Sequence, residues 1–331
     1  MSLLPGAPRQ ASYGAVARIG WLEWLPWAAA LAVFFALPEY IPLGARILVY
    51  ILFALSLDLI LGYAGIVTLG HSAFFGLGAY VAGVLGAKFG VTDPLLQMAG
   101  AAAAAALLGV VTGAVILRTR GLTLLMLTLA ITSVLLEIAN KATDLTGGAD
   151  GLSGITVSPI FGLFRFDMFG KTAYLYCLLA LFAGWWVVRR IVYSPFGASL
   201  VGIRENVTRM HAIGSPAYAR LVAAYTISGT IAGCAGALLT QTNQFVGLNV
   251  LSFEFAGELL VMLVLGGVGR IYGAFVGPLF YMIAQDQLAK QFPEYWYFGI
   301  GFLLVAVVLF ARGGLLGIAD LVAAKLRGVR S

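Results

Sequence analysis

An all-α, polytopic membrane bundle of about ten transmembrane segments is the fold that this sequence predicts, on three observations. Of 331 residues, 61% are hydrophobic and only 10% are charged, with a mean hydropathy of +0.97. Soluble domains carry about 25% charged residues. Apolar runs also recur near the roughly 20 residues that a helix needs to cross a bilayer. Finally, the basic residues sort by side once the chain is threaded through ten spans.

In chain order, residues 1–24 read as a cytoplasmic N-terminal tail, because the first twenty lack the apolar core of a secretory signal. Residues 25–311 form the membrane domain. Its expected spans are Leu25–Leu43, Arg46–Leu61, Ala73–Lys88, Leu95–Leu117, Gly121–Ala139, Thr172–Arg190, Tyr218–Thr240, Phe255–Gly269, Ile271–Ala289 and Tyr295–Ala311. Residues 312–331 are a basic cytoplasmic C-terminal tail. Several spans are too short to cross untilted. Broken helices survive in a membrane only where the freed backbone groups face protein or a water-filled cavity. With the N-terminus inside, Arg46, Lys88, Lys141, Arg165, Lys171 and Lys290 fall outside, and the other 14 of the 20 Lys and Arg residues fall inside. The formal charge of +6 therefore reads as cytoplasmic bias rather than as a nucleic-acid surface.

Two membrane segments are rich in glycine. Gly62–Gly83 carries Gly62, Gly65, Gly70, Gly76, Gly78 and Gly83 around polar Thr68, His71 and Ser72. Such spacing either packs helices tightly or marks a broken helix lining a pathway. In the second, Phe255–Ala289, Gly266, Gly267 and Gly269 separate two apolar runs, with Glu258 near its head. One interrupted segment in each half is the pattern of a transporter built from related halves. The path candidates are therefore Gly65, Thr68, Gly70, His71, Ser72, Glu258, Gly266 and Gly267. Between the halves, residues 140–171 form an external loop, with turns at Thr146–Ile155 and aromatic Phe161, Phe164, Phe166 and Phe169.

The stretch Arg189–Arg220 holds an amphipathic helix inside the cell, within a loop over 191–217. Ser194-Pro195 is a helix start. Phe196, Leu200, Ile203 and Val207 recur at helical spacing, and Gly214 marks the stop. Its apolar side needs a host, either the membrane surface or a groove in a partner protein.

Asp58, His71, Glu137, Glu258 and Asp286 are ionisable groups in or beside spans, where a charge facing lipid at mid-membrane costs about 2.5–3.5 kcal/mol. Each either satisfies an interhelical hydrogen bond or lines an aqueous path. Gly170-Lys171-Thr172 is not an ATP-binding loop, since Arg165 stands where a glycine is needed. Cys177 and Cys234 lie in apolar runs and suggest neither a disulfide nor a metal site. With two histidines and no catalytic constellation, no enzyme and no metal centre are expected.

Four stretches resemble the branched-chain amino-acid (Liv-type) ABC-transporter permeases, in particular the M-type subunit. They are LGYAGIVTLGHSAFFGLGAY (61–80), TGGADGLSGI (146–155), SPFGASLVGIREN (194–206) and LVMLVLGGVGRIYGAFVGP (260–278), in matching order. The resemblance implies a non-catalytic permease subunit of the bacterial inner membrane. Its partners would be a homologous second permease, two ABC ATPases that use ATP and Mg, and a periplasmic or lipid-anchored substrate-binding protein. It makes Ser194–Gly214 a coupling helix, with Phe196, Leu200, Arg204, Glu205 and Gly214 as contacts. Here Thr208–Ala212 replaces the usual Ala/Glu-rich run. Family substrates include leucine, isoleucine and valine, and also urea, short amides and aromatic acids. The rival class is a stand-alone ion-coupled transporter or channel using Asp58, Glu258 and Asp286.

Overall fold

The computed structural model describes residues 21–36, 38–159, 170–310 and 313–318. Most of the N-terminal and C-terminal tails, and Phe161, Phe164, Phe166 and Phe169, lie outside the described residues. Within them the fold is all-α. Among the described residues the only strand-like pairing is an isolated antiparallel bridge between Leu152 and Val246, which ties the stretch after Lys141 to the stretch after Asn243.

The long helices are α1 (Leu25–Ala36), α2 (Ile41–Asp58), α3 (His71–Ala87), α4 (Pro94–Ile116), α5 (Leu122–Lys141) and α6 (Lys171–Val192). After them come two short helices, α7 (Pro195–Glu205) and α8 (Val207–Ala212), and then α9 (Ala217–Asn243), α10 (Phe253–Gly266), α11 (Gly273–Gln291) and α12 (Trp296–Phe310). All ten expected spans have a helical counterpart. Five of the helices, counting α2 with its flanking turns as Pro38–Tyr63, are long and apolar enough to cross a membrane. The first boundary is displaced: α1 stops at Ala36 and α2 begins at Ile41, not Arg46. Pro38 supplies no N–H and disfavours helical backbone in the residue before it, while Pro42 sits in the first turn of α2, where its missing N–H costs nothing.

Helix α9 lies at the centre against α2, α3 and α4, and α2 also meets α6, α10 and α11. The apolar window of α2 is 78% buried and that of α5 only 22%; α2 is an interior helix, and α5 presents its apolar surface outward. Backbones approach closely where α3 crosses α9. A methyl group at Gly78 would stand 2.5 Å from Gly233 Cα, and one at Gly236 would strike the Phe75 carbonyl. Only glycine permits that crossing. Further along α9, Gln241 Nε2 donates to the Pro94 carbonyl at 2.8 Å and to Gln97 Oε1 at 3.1 Å, where α4 and α9 meet.

The first glycine-rich segment both breaks its helix and packs closely. After Asp58 the chain makes one wide π-helical turn, Leu59–Tyr63, and leaves helix until His71. Gly65 takes φ +73°, a left-handed conformation that favours glycine, and the Ile66 N–H returns to the Ile60 carbonyl at 2.9 Å. Beyond the break, Gly76, Gly78 and Gly83 are packing glycines. The second segment breaks at 267–272, between α10 and α11. There Gly267 and Gly269 have φ of +116° and +79°.

Candidate functional site: a junction of both helix breaks with the short amphipathic helix

Helix α7 starts as its sequence dictates, with Ser194 capping the Gly197 N–H at 3.3 Å and Pro195 in the first turn. It ends earlier than the amphipathic pattern predicts. Asn206 is extended (φ −157°, ψ 98°), terminating α7, and its side chain accepts from the Arg209 N–H at 2.9 Å to begin α8. One continuous helix to Gly214 is thus corrected to two, because an asparagine makes a better cap than a helix-interior residue.

The apolar face of α7 has neither of the two expected hosts. Gly197, Ser199, Leu200 and Ile203 are buried in this chain's own core, Leu200 completely. Leu200 is therefore covered here and offers no outward contact, while Phe196 is half-buried and Glu205 and Gly214 are exposed. Gly214 turns the chain with φ +77° in open space.

Arg204 reaches inward from the end of α7, donating from Nη1 to the carbonyl of Gly62 at the first break. Directly beside that contact, Gly269 of the second break donates its N–H to Asp58 Oδ1 at 2.7 Å. Gly62 and Gly269 themselves touch: a methyl group on Gly62 would lie 2.6 Å from Gly269 N and 2.7 Å from its Cα. Gly65 lies under the Arg204 side chain, 2.6 Å from Cγ to where a Cβ would stand. Both helix breaks and α7 therefore converge on one junction, held by a carboxyl and a guanidinium that each bond backbone. The carboxylate of Asp58 and the guanidinium of Arg204 form no ion pair with each other.

A second polar cluster sits at the head of α3. Ser56 Oγ lies 2.8 Å from His71 Nε2 and donates its single proton to the Phe53 carbonyl at 2.6 Å. With that proton used, Nε2–H is the donor, an assignment made from the hydrogen-bond network. Ser228 of α9 donates to the Ser56 carbonyl at 2.5 Å. His71 Nδ1 and Ser72 Oγ, both buried, have no hydrogen-bond partner among the described residues. Thr68, also buried, accepts from the Gly70 N–H at 3.1 Å.

Glu258 is half-buried, with the Arg46 guanidinium acting on it. A run of rings links the two regions. Phe53 stacks on His71 at 5.6 Å and on Phe255 at 5.6 Å, and Phe255 meets Tyr50 edge-on at 5.8 Å. Gly266 packs against Gly273 within the α10–α11 hairpin, while Gly267 makes its turn. Glu137 and Asp286 stand apart from all of this. They pair with Lys141 at 3.1 Å and Lys290 at 2.6 Å, each four residues along its own helix.

Ser56, Ser228 and the glycines of α9 carry no signal in the sequence pattern, since isolated serines inside apolar runs are ordinary. The contact of Asp58 with Gly269 spans 211 residues, beyond any local pattern.

A family model described as the permease component of the branched-chain amino acid transport system matches residues 43–308. The chain is 28% identical over 292 residues to the high-affinity branched-chain amino acid transport system permease protein LivM of Escherichia coli (strain K12), covering 81% of this chain and 68% of that relative. It is 27% identical to LivM of Salmonella typhimurium over 83% of this chain and 69% of the relative. It is 25% identical to the probable branched-chain amino acid transport permease protein LivH of Methanocaldococcus jannaschii, covering 83% of this chain and 91% of that relative. No solved structure matches the chain. Both glycine-marked breaks and the Arg204 junction fall inside the matched span, and the chain belongs to the family of branched-chain amino acid transport permease components.

Proposed function

We infer that this chain forms one membrane half of an ATP-driven importer of branched-chain amino acids and that α7 delivers the motor's movement to the path. The substrate comes from the relatives' names. The single observation supporting the coupling role is the bond from Arg204 to the Gly62 carbonyl, next to the Asp58–Gly269 bond. A displacement of α7 cannot leave that junction intact, and both helix breaks depend on it. The chain works with a second permease, two cytoplasmic ATPases and a soluble binding protein. ATP binding by the ATPases moves α7 and rocks the halves between two accessible states.

In this assignment Glu205, Phe196 and Gly214 remain outward contacts to an ATPase, and Arg204 transmits inward. His71 and Ser72 supply polar groups to the path, where an amino acid's ammonium and carboxylate meet small residues and backbone dipoles rather than fixed charges. An ion-coupled carrier fits less well, because of its three candidate carboxyls Asp58 is bonded to the Gly269 N–H and Asp286 is paired with Lys290, leaving Glu258 alone.

The test is ATP-dependent leucine uptake into vesicles containing all partners, with Arg204→Ala and Glu205→Ala. Arg204→Ala should abolish uptake while the ATPases still assemble. Glu205→Ala should weaken assembly itself. Unchanged uptake and assembly in both would remove the coupling assignment, and uptake driven by an ion gradient with no ATPase present would replace it.

A further inference from the structure

A cavity of about 750 Å³ opens between the first break (64–67), the α4–α5 turn (117–125) and helices α7 and α8. Four cationic or titratable bases line it, namely Arg118, Arg120, Arg204 and His211, and no Asp or Glu does. Arg118 and Arg120 have no ion-pair partner among the described residues. Excess basic charge is general on this side of the bundle, but three guanidiniums around one concavity are not explained by a bias in loop composition. Arginine presents a planar fork of donors that matches phosphate oxygens two at a time. The remaining wall is mostly apolar, with Leu117, Leu124 and Leu221 beside Thr119 and Tyr218. Beside the mouth, Leu122 and Met126 on the outward face of α5 are 73% and 70% exposed. That face belongs to a helix whose apolar window is only 22% buried.

A phosphate-sized anion with an apolar tail fits this combination better than a free anion does. We propose that the cavity binds the phosphodiester headgroup of an acidic phospholipid from the leaflet on the basic side, with its chains along Leu122 and Met126. Basic pockets between transmembrane helices are suited to such headgroups. Because Arg204 is shared between this cavity and the Gly62 carbonyl, a bound lipid bears on the same side chain that joins α7 to the first break. The site itself does not depend on the transport assignment.

The test uses the purified full chain in detergent, with phosphatidylglycerol or phosphatidylcholine titrated in and retention read by native mass spectrometry. The parent should retain phosphatidylglycerol preferentially. Arg118→Ala with Arg120→Ala should weaken that retention roughly 25-fold, about fivefold for each cation removed. Arg190→Ala, a basic residue on the same side but outside the cavity, should retain it like the parent. An unchanged melting profile in the double variant shows that the fold is intact. Equal retention of the two lipids by the parent, or equal loss in the Arg190 variant, overturns the site. Inorganic phosphate that binds the lipid-free chain as tightly as the lipid assigns the cavity to a free anion instead. Loss of ATPase binding in the double variant, with no lipid retained by the parent, assigns it to a protein partner.

Discussion

Gly62→Ala is the most direct test of the junction. The added methyl carbon must occupy a position 2.6 Å from Gly269 N and 2.7 Å from Gly269 Cα. Non-bonded carbon atoms settle at about 3.5–4.0 Å, so the two breaks must separate by roughly 1 Å. Overpacking of this kind costs about 1–3 kcal/mol. The same position crowds Asp58 Oδ1, so the 2.7 Å bond from Gly269 is lost or lengthened, at about 1.5–3 kcal/mol for a bond to a charged group. These terms share atoms and do not add fully; a net loss of about 3–5 kcal/mol is expected, lowering the unfolding midpoint by roughly 4–7 °C in a chain of this length. The measurements are thermal unfolding of the detergent-solubilised chain and ATP-driven uptake in the reconstituted system. Gly257→Ala is the control, since a methyl group there meets nothing within 4 Å and alanine favours helix. If Gly62→Ala melted with the parent and transported at its rate, the close approach of the breaks would have no part in stability or coupling.

Arg189 forks onto Glu23 with two bonds of 3.0 Å while lying over Trp185 and Tyr193. Arg189→Ala strands a largely buried carboxylate and should cost about 3–5 kcal/mol by thermal unfolding, with Arg189→Lys recovering only part because the fork is lost. Gly78→Leu should prevent α3 from crossing α9, giving a chain that inserts but elutes as aggregate in size-exclusion chromatography. His71→Phe keeps a ring to stack on Phe53 and removes both ring nitrogens. The folded fraction should match the parent while leucine uptake falls at least about tenfold, the equivalent of roughly 1.4 kcal/mol lost in the transport step. Glu137→Ala breaks only an exposed pair and should change stability by less than about 0.5 kcal/mol.

Most of the architecture was legible because membrane helices announce themselves locally. Apolar length, Pro38 and Pro42, and the Ser194-Pro195 start are one-dimensional signals, and the helices follow them. Two features escaped for physical reasons. Asn206 could have extended an amphipathic helix or capped its successor, and periodicity alone does not decide between these. The host of α7 was sought outside the chain because its apolar face is narrow. Helix α7, with Leu200 and Ile203 buried, instead meets the end of α6, the π turn and α9, a surface that exists only after folding. Among the site candidates, the glycines were found by their density, and His71 by its rarity. Its partner Ser56, and Ser228 that bonds Ser56 in turn, were not found, since a serine's importance here comes entirely from what lies 15 or 172 residues away.

Asp58 and Arg204 act near one another, yet each bonds main chain rather than its opposite charge. That choice bears on the coupling role proposed for α7. A direct ion pair would travel as a unit and would tolerate many loop conformations. A guanidinium on the Gly62 carbonyl and a carboxyl on the Gly269 N–H hold only when both glycine breaks have their present dihedral angles. The side chains therefore report backbone conformation, and the breaks are felt by α7 through Arg204. A charge-assisted bond worth about 1.5–3 kcal/mol biases a two-state equilibrium roughly 10- to 150-fold. Under the proposed coupling role, losing it on movement of α7 would be enough to turn a closed minority into a majority, or the reverse, with no large force carried along the helices. The glycines then have a second use beyond close packing. Without side chains of their own, Gly62 and Gly269 expose the carbonyl and the N–H that the two charged residues need, which makes the junction both tight and releasable.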